Sequence, residues 1–139
     1  MCKNFDAVIF DFDGTVADTG KGIFGSIRYA LNACSLPQLD EKSLRTFIGP
    51  PLHDSFKREC GADDEMCVKL VAKYRENYAV KGILEFELYP GMEELLKKLK
   101  AEGIVTGIAS SKPEDFINII LNNTRLNKYF DFTSGSDPR

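Results

Sequence analysis

Two aspartates at the end of a short apolar run are the residues of this sequence best suited to chemistry. Asp11 and Asp13 follow the run Ala7–Phe10, and Gly14 comes directly after them. The run is typical of a strand buried on both faces of a parallel sheet, and Gly14 indicates a turn. Two close carboxylates repel, so either a cation lies between them or one of them keeps its proton. The first arrangement gives a Mg²⁺ site and the second a nucleophile beside a general acid, and the two are compatible.

Three other interpretations of these aspartates fit less well. An EF-hand loop needs glycine at its sixth position, whereas Gly14 is the fourth residue counted from Asp11. A turn or helix cap explains Asp13 followed by Gly14, but it does not require Asp11 at the end of a strand. A phospho-accepting receiver domain also has an aspartate at a strand end, but no long helical insertion normally follows it.

Three glycines further along the chain have the spacing of a dinucleotide-binding fingerprint. Gly20, Gly22 and Gly25 show the G-x-G-x-x-G spacing. The fingerprint has to follow its strand at once, but Gly20 comes ten positions after Phe10. We therefore expect these glycines to form a flexible hinge and to allow close helix packing.

A long helical stretch separates the aspartates from the rest of the predicted sheet. Apolar residues recur at helical spacing from about residue 19 to residue 82. Asp40 can cap one helix of this stretch, and Asp63 or Asp64 can cap a longer one. The stretch is therefore predicted to be an all-helical insertion after the first strand.

Two helices and two strands are predicted after this insertion. An amphipathic helix follows Gly91, and the apolar run Ile104–Ala109 predicts a second strand. Ser111 and Glu114 have capping-box spacing for the next helix, and Tyr129–Thr133 is a weaker third strand. This order predicts an α/β fold, a partial doubly wound parallel (Rossmann-like) sheet core with an inserted all-helical cap. The predicted domains are core residues 1–17, cap residues 18–86 and core residues 87–139.

Composition excludes several classes of protein. Among 139 residues, 18 are Lys or Arg and 21 are Asp or Glu, and the net charge of −3 offers nucleic acid no basic footprint. No apolar stretch approaches the roughly 20 residues of a membrane span, and no signal peptide is evident, so we expect a cytoplasmic protein. The cysteines have no C-x-x-C spacing and His53 has no cysteine at zinc spacing, so we expect reduced thiols and no zinc. These cysteines are Cys2, Cys34, Cys60 and Cys67.

The two sequence segments around the predicted strand ends resemble a known family. Asp11-Phe12-Asp13-Gly14-Thr15 is similar to motif I of the haloacid dehalogenase superfamily of aspartate-nucleophile phosphatases. Ile108-Ala109-Ser110-Ser111-Lys112-Pro113 is similar to its motif II. The segments 47–52 and 88–91 resemble the phosphoglycolate-phosphatase-like branch, which has a helical cap. The resemblance extends over essentially the whole chain.

The resemblance implies a role for each residue of these segments. Asp11 would attack phosphorus and form an aspartyl phosphate, and Asp13 would first protonate the leaving oxygen and then activate water. Both aspartates would hold Mg²⁺, Asp11 through its side chain and Asp13 through its backbone carbonyl, and Thr15 would orient Asp13. Phosphate would be bound by the backbone of Phe12 and Gly14 and by Ser110, Ser111 and Lys112. Substrate contacts from the cap would come from Gly49, Pro50 and Arg45.

The function implied is that of a Mg²⁺-dependent phosphatase of a small phosphorylated metabolite such as phosphoglycolate. Dehalogenases of the superfamily lack an acid two residues after the nucleophile, so Asp13 favours phosphoryl transfer over dehalogenation. A sugar phosphomutase would use the same aspartyl phosphate and is an alternative.

Two further motifs of the family are not found in this sequence. The motif III lysine and the motif IV acidic pair normally follow the region that matches residues 129–136, so we expect a chain truncated at its C-terminus. Lys112 is at best a partial substitute for the motif III lysine. Asp131, in the predicted third strand, and Asp137, near the end of the sequence, are disfavoured candidates for metal ligands. A catalytically incomplete fragment that only binds or associates is therefore another alternative. Val8 and Ile9 would then lie at an open sheet edge that could support self-association.

Overall fold

The computed structural model describes residues 4–137, and the chain divides into two compact units. Unit 1 comprises Met1–Asp18 and Leu88–Arg139, and unit 2 is Thr19–Glu87. Cys2 lies outside the described residues. The elements in chain order are β1 (Ala7–Phe10), β2 (Ala17–Asp18), α1 (Gly20–Ala33), α2 (Glu41–Arg45), α3 (Leu52–Cys60), α4 (Asp64–Val80), β3 (Glu87–Leu88), α5 (Met92–Ala101), β4 (Val105–Pro113), α6 (Glu114–Thr124) and β5 (Phe132–Ser136), with 3-10 turns at Gly82–Leu84 and Asn127–Tyr129.

Unit 1 is built on a three-stranded parallel sheet with the strand order β1-β4-β5. Ala7 of β1 lies opposite Val105 of β4, and Phe10 lies opposite Ile108. Helix α5 packs on β4, and α6 packs on both β4 and β5. The apolar side chains that these helices bury are Leu96, Leu99, Ile117, Ile120 and Leu121. The parallel α/β architecture predicted from the sequence is confirmed.

Strand β1 has the predicted bounds but not the predicted burial. Among residues 4–137 it pairs only with β4, so it lies at one edge of the sheet. Ile9 is 60% exposed, and Val8 and Phe10 are half-buried. The expectation of a strand buried on both faces is therefore wrong, because α5 and α6 pack on β4 and β5 and the faces of β1 stay partly open to solvent. The expected position of Val8 and Ile9 at a sheet edge agrees with this placement.

The C-terminal part of unit 1 differs from the sequence-based prediction at two places. The third strand was expected at Tyr129–Thr133, but Tyr129 lies in a 3-10 turn, where its carbonyl oxygen accepts the hydroxyl of Thr106. The predicted capping box of Ser111 and Glu114 is not formed, so this prediction is also wrong. Helix α6 begins at Glu114 with Pro113 at its N-cap, because β4 continues four residues beyond its predicted end at Ala109.

Unit 2 has a core formed by α1 and α4. Its buried apolar side chains include Ile23, Ile27, Leu31, Leu70, Tyr74 and Tyr78. The predicted caps are confirmed, since the carboxylates of Asp40 and Asp63 each accept a backbone N–H of the first turn of their helix at 2.8 Å. Each carboxylate therefore accepts a hydrogen bond from a backbone N–H group of the first helical turn, which has no acceptor within the helix.

Close packing explains one glycine of the dinucleotide-like pattern. A Cβ added to Gly22 would lie 2.1 Å from the carbonyl oxygen of Gly82, so the two backbones touch. The buried Ser26 hydroxyl donates to the Gly22 carbonyl at 2.8 Å and also bonds Asn77 Oδ1 at 3.1 Å. All three glycines of the pattern lie within α1, and the expectation of close helix packing is confirmed at Gly22.

Two expected absences concern membrane spans and disulfides. No helix between residues 4 and 137 has the length and apolar character needed to cross a membrane. In the same part of the chain, Cys34, Cys60 and Cys67 are free thiols.

Candidate active site

The loop between β1 and β2 is anchored by Phe12, whose side chain is fully buried. The Phe12 carbonyl oxygen accepts the backbone N–H groups of Thr15 at 3.1 Å and Val16 at 3.0 Å. On either side of this anchor, Asp11 is exposed and Asp13 is half-buried. The buried phenylalanine therefore gives the two carboxylates different surroundings, one open to solvent and one turned into unit 1.

A tight turn at Gly14 follows the two aspartates. Gly14 has a φ of 79°, in the left-handed region that residues with a Cβ adopt only with strain. Its N–H donates to the Ala17 carbonyl at 2.9 Å, and the Phe12 N–H donates to Asp11 Oδ1 at 2.7 Å. The two N–H groups predicted to bind phosphate thus have partners inside the loop. Phosphate binding by them stays a prediction and requires them to exchange those partners.

A bulge in β4 carries the second group of predicted site residues. Strands β4 and β5 are paired at Ala109 with Ser134 and again at Pro113 with Ser136. Over this interval β4 advances four positions (109 to 113) while β5 advances two (134 to 136). Such a bulge changes the direction in which side chains point. The residues inside it are Ser110, Ser111 and Lys112.

Gly135 allows β5 to lie against this bulge. A Cβ at Gly135 would be 2.6 Å from the Lys112 carbonyl oxygen and 2.6 Å from the Glu114 Cα atom, so any side chain there would displace backbone. Gly135 is a positioning residue that the sequence interpretation missed. A lone glycine among strand residues is the signal that could have indicated it.

The bulge directs Lys112 toward the loop aspartates. Lys112 Nζ lies 3.0 Å from Asp13 Oδ1, and the two side chains are 4% and 11% exposed. The Lys112 backbone N–H donates to Ser110 Oγ at 3.1 Å, which holds the bulge in shape. Both residues of the ion pair were predicted for the site, Asp13 as acid and Lys112 as phosphate ligand, but their pairing was not. The structure thus joins the two motifs by a buried ion pair.

The residues present fit Mg²⁺ only as a partial set of ligands. Within residues 4–137 there is no group of three His, Cys, Asp or Glu residues that could hold a metal ion. The loop offers the Asp11 carboxylate and the backbone carbonyl of Asp13, whereas Asp13 Oδ1 is engaged by Lys112. Since Mg²⁺ keeps several waters and is bound by one or two carboxylates together with substrate phosphate, two protein donors are compatible with its chemistry.

The remaining predicted site residues are exposed in the structure. Thr15 is exposed in the loop, and its predicted orientation of Asp13 stays a prediction. In unit 2, Arg45 is exposed and its Nη2 donates to Glu41 Oε1 at 2.6 Å. Gly49 and Pro50 are also exposed in unit 2, after the end of α2. Substrate contacts from these three residues stay predictions.

Asp131 is engaged in the sheet. Its Oδ2 accepts the Thr106 N–H at 2.8 Å, and its own N–H donates to the Thr106 carbonyl at 2.7 Å. This reciprocal pair connects the start of β5 to β4. A stand-in role for Asp131 as a metal ligand is therefore not supported by its surroundings.

Comparison with known proteins places this chain in a family. Residues 8–139 match the model of a family described as haloacid dehalogenase-like hydrolase. A 5'-nucleotidase of Pseudomonas aeruginosa is 34% identical over 130 residues, which cover 94% of this chain and 59% of the relative. The pyrophosphatase PpaX of Bacillus velezensis is 33% identical over 130 residues, covering 93% of this chain and 58% of the relative.

One solved structure is similar to this chain in both fold and sequence. The crystal structure of a predicted phosphatase from Clostridium acetobutylicum has a TM-score of 0.91 and 38% sequence identity, and the match covers 96% of this chain and 62% of that chain. The present chain thus spans about three fifths of the length of each of these three proteins.

Proposed function

This chain belongs to the haloacid dehalogenase-like hydrolases, and we propose that its activity is that of a Mg²⁺-dependent phosphatase with Asp11 as the nucleophile. The observation that carries the proposal is the pair of unlike carboxylates at the end of β1. Asp11 is exposed at the strand end, while Asp13, two residues on, is held by Lys112. Ligands of open α/β sheets bind at the carboxyl ends of the strands, which is where both carboxylates lie.

The proposed reaction begins with attack by Asp11 on the phosphorus of a phosphate monoester. The Phe12 N–H donates to Asp11 Oδ1, so we take Oδ2 as the attacking oxygen, and Oδ1 keeps a second lone pair. A bond forms between Oδ2 and phosphorus, and the bond from phosphorus to the ester oxygen breaks. Asp13, in its protonated form, gives the leaving oxygen its proton, so an alcohol departs.

Hydrolysis of the aspartyl phosphate completes the cycle. Asp13, now a carboxylate, takes a proton from a water molecule that attacks phosphorus. The phosphorus–Oδ2 bond breaks, inorganic phosphate leaves and the Asp11 carboxylate is restored. Both residues therefore end in the state in which they started.

Lys112 supplies a positive charge beside Asp13. Its ammonium group is paired with Asp13 in the structure, and in the proposed reaction it is shared with the negatively charged phosphate as the substrate binds. Such an exchange frees Asp13 to carry a proton. Ser110 and Ser111, in the same bulge, are proposed to donate hydrogen bonds to phosphate oxygens.

Mg²⁺ is proposed to bind through the Asp11 carboxylate and the Asp13 backbone carbonyl. When bound, the ion would neutralise charge on the phosphate oxygens. The proposed substrate is a small organic phosphate, with phosphoglycolate as the first compound to test. The names of the two relatives, a 5'-nucleotidase and a pyrophosphatase, add a nucleoside monophosphate and pyrophosphate to the panel.

The test is release of inorganic phosphate from phosphoglycolate, adenosine monophosphate and pyrophosphate, each with Mg²⁺ and with a chelator. Asp11→Asn is compared with Asp6→Asn, the same change at an exposed residue just before β1. We expect release that needs Mg²⁺, falls to background in Asp11→Asn and persists in Asp6→Asn. Release by Asp11→Asn at the wild-type rate would overturn the proposal, and so would no release by the wild type from any of the three compounds.

A further inference from the structure

A groove with a volume of about 680 Å³ lies on the exposed side of α1 in unit 2. Cavities that bind small molecules have volumes of about 300–1,000 Å³, so the groove is large enough for a ligand. None of its lining residues belongs to the β1–β2 loop or to the bulge of β4. The residues that matter for its chemistry are Lys21, Phe24, Gly25, Arg28 and Tyr29 of α1 and Lys81, which follows α4.

Gly25 lines the groove, and close packing within unit 2 does not require a glycine at this position. A Cβ at Gly25 would meet no atom within 4 Å, in contrast to Gly22 one turn earlier, where backbone would be displaced. Glycine inside a helix costs about 1 kcal/mol relative to alanine, and the fold offers no compensation for it at Gly25. The missing side chain does widen the groove and lets a ligand approach the helix backbone.

The groove carries two cations that are not compensated by acids. Within residues 4–137, no ion pair joins Arg28 or Lys81 to another residue. The two acids that line the groove are already engaged, because Glu41 accepts from Arg45 at 2.6 Å and Glu85 lies 3.7 Å from Lys21. The remaining positive charge favours an anionic ligand, and guanidinium and ammonium groups both bind phosphate.

Two aromatic rings border the stripe of α1 that contains Gly25. At 100° per residue, Phe24 and Tyr29 fall on opposite flanks of this stripe. Phe24 is half-buried, and Tyr29 is 37% exposed with its hydroxyl donating to Glu76 at 2.7 Å, which restrains the ring. Aromatic side chains at such positions stack on planar rings of a ligand.

We propose that this groove binds a nucleoside diphosphate, with the base over Gly25 between Phe24 and Tyr29 and the phosphates on Arg28 and Lys81. A ligand with only the ring or only the phosphates would use half of the site. The proposal does not depend on the phosphatase activity proposed above, because it rests on other residues and on equilibrium binding.

The experiment is calorimetric titration of the 139-residue chain with adenosine diphosphate, adenosine and pyrophosphate. We expect saturable one-to-one binding of the diphosphate, with adenosine and pyrophosphate at least tenfold weaker. The double variant Arg28→Gln, Lys81→Gln should weaken the diphosphate at least tenfold, whereas Lys42→Gln, an exposed lysine of α2 outside the groove, should leave its Kd unchanged.

Two further variants separate this site from the loop of Asp11. Gly25→Leu should abolish binding by filling the groove, and Gly25→Ala, which favours the helix, should weaken binding without loss of thermal stability. Asp11→Asn should bind the diphosphate like the wild type. Absence of saturable binding, an unchanged Kd in the double variant, or loss of binding in Asp11→Asn would each overturn the proposal.

Discussion

Lys112 Nζ lies 3.0 Å from Asp13 Oδ1, although the two residues are ninety-nine positions apart in the sequence. Two local features bring them together, the left-handed turn at Gly14 and the bulge in β4. The pair is almost fully shielded from solvent, so both charges depend on each other for stabilisation. It therefore couples the stability of unit 1 to the residues proposed to carry out catalysis.

Replacing Lys112 by methionine should destabilise unit 1, because the shielded Asp13 carboxyl group would lose its cation and its hydrogen-bond donor. Loss of one partner of a buried ion pair costs about 3–5 kcal/mol, and we expect about 3 kcal/mol here. Urea unfolding measures the loss, with Lys98→Met on the exposed side of α5 as the control. Adding Asp13→Asn should restore part of the stability, and equal losses in both lysine variants would contradict the importance of the pair.

Gly22 and Gly25 of α1 should respond in opposite ways to alanine. Gly22→Ala should destabilise unit 2 by about 2 kcal/mol or more, because its Cβ would overlap the backbone of Gly82. Gly25→Ala should stabilise it by up to about 1 kcal/mol, since the added Cβ meets nothing and alanine favours the helix. Thermal unfolding of both variants gives the comparison. The close packing of α1 against the 3-10 turn at Gly82 is wrong if Gly22→Ala unfolds at the wild-type temperature.

Modification of Cys67 should be slow at neutral pH and should accelerate above it. Burial raises the pKa of the Cys67 thiol, and the nearby Asp64 carboxylate raises that pKa further. Since the folded state holds this proton more tightly than the unfolded state, the group's contribution to stability is intact below about pH 8.5 and is lost as pH rises through the folded pKa. Iodoacetamide labelling at increasing pH, read by peptide mass spectrometry, tests this. Labelling at pH 8 as fast as in a cysteine peptide would count against the shift.

Asp131→Ala should weaken the junction between β4 and β5. The variant removes the acceptor of the Thr106 N–H and should cost about 1 kcal/mol. Asp131→Asn keeps an acceptor oxygen and should lose less. Mg²⁺ affinity, measured by titration, should be the same in both variants and the wild type, and a selective loss of Mg²⁺ binding in Asp131→Asn would instead assign this carboxylate to the metal.

Local sequence patterns were sufficient to predict much of the fold. The apolar run before Asp11 predicted the bounds of β1, since four apolar residues followed by acids and glycine leave little freedom. The caps at Asp40 and Asp63 were also predicted, because a carboxylate three residues before its N–H partner acts within one turn.

Features that depend on strand pairing could not be predicted in this way. The capping box at Ser111 failed because β4 extends to Pro113, and this extension depends on pairing with β5. The same pairing, made possible by Gly135, creates the bulge that turns Lys112 toward Asp13. A contact between residues so far apart depends on how β4 pairs with β5, and the shift in that pairing involves residues of both strands.

Asp11 as the nucleophile is most directly tested by trapping the covalent intermediate. The chain is mixed with phosphoglycolate and Mg²⁺, quenched in acid within the first turnover, digested and examined by mass spectrometry. We expect one acid-stable, base-labile phosphoryl group on the peptide that contains Asp11, present in the wild type and in Asp6→Asn and absent in Asp11→Asn. Phosphate release by the wild type without any phosphoryl group on Asp11, or with the group on another residue, would contradict the proposed mechanism.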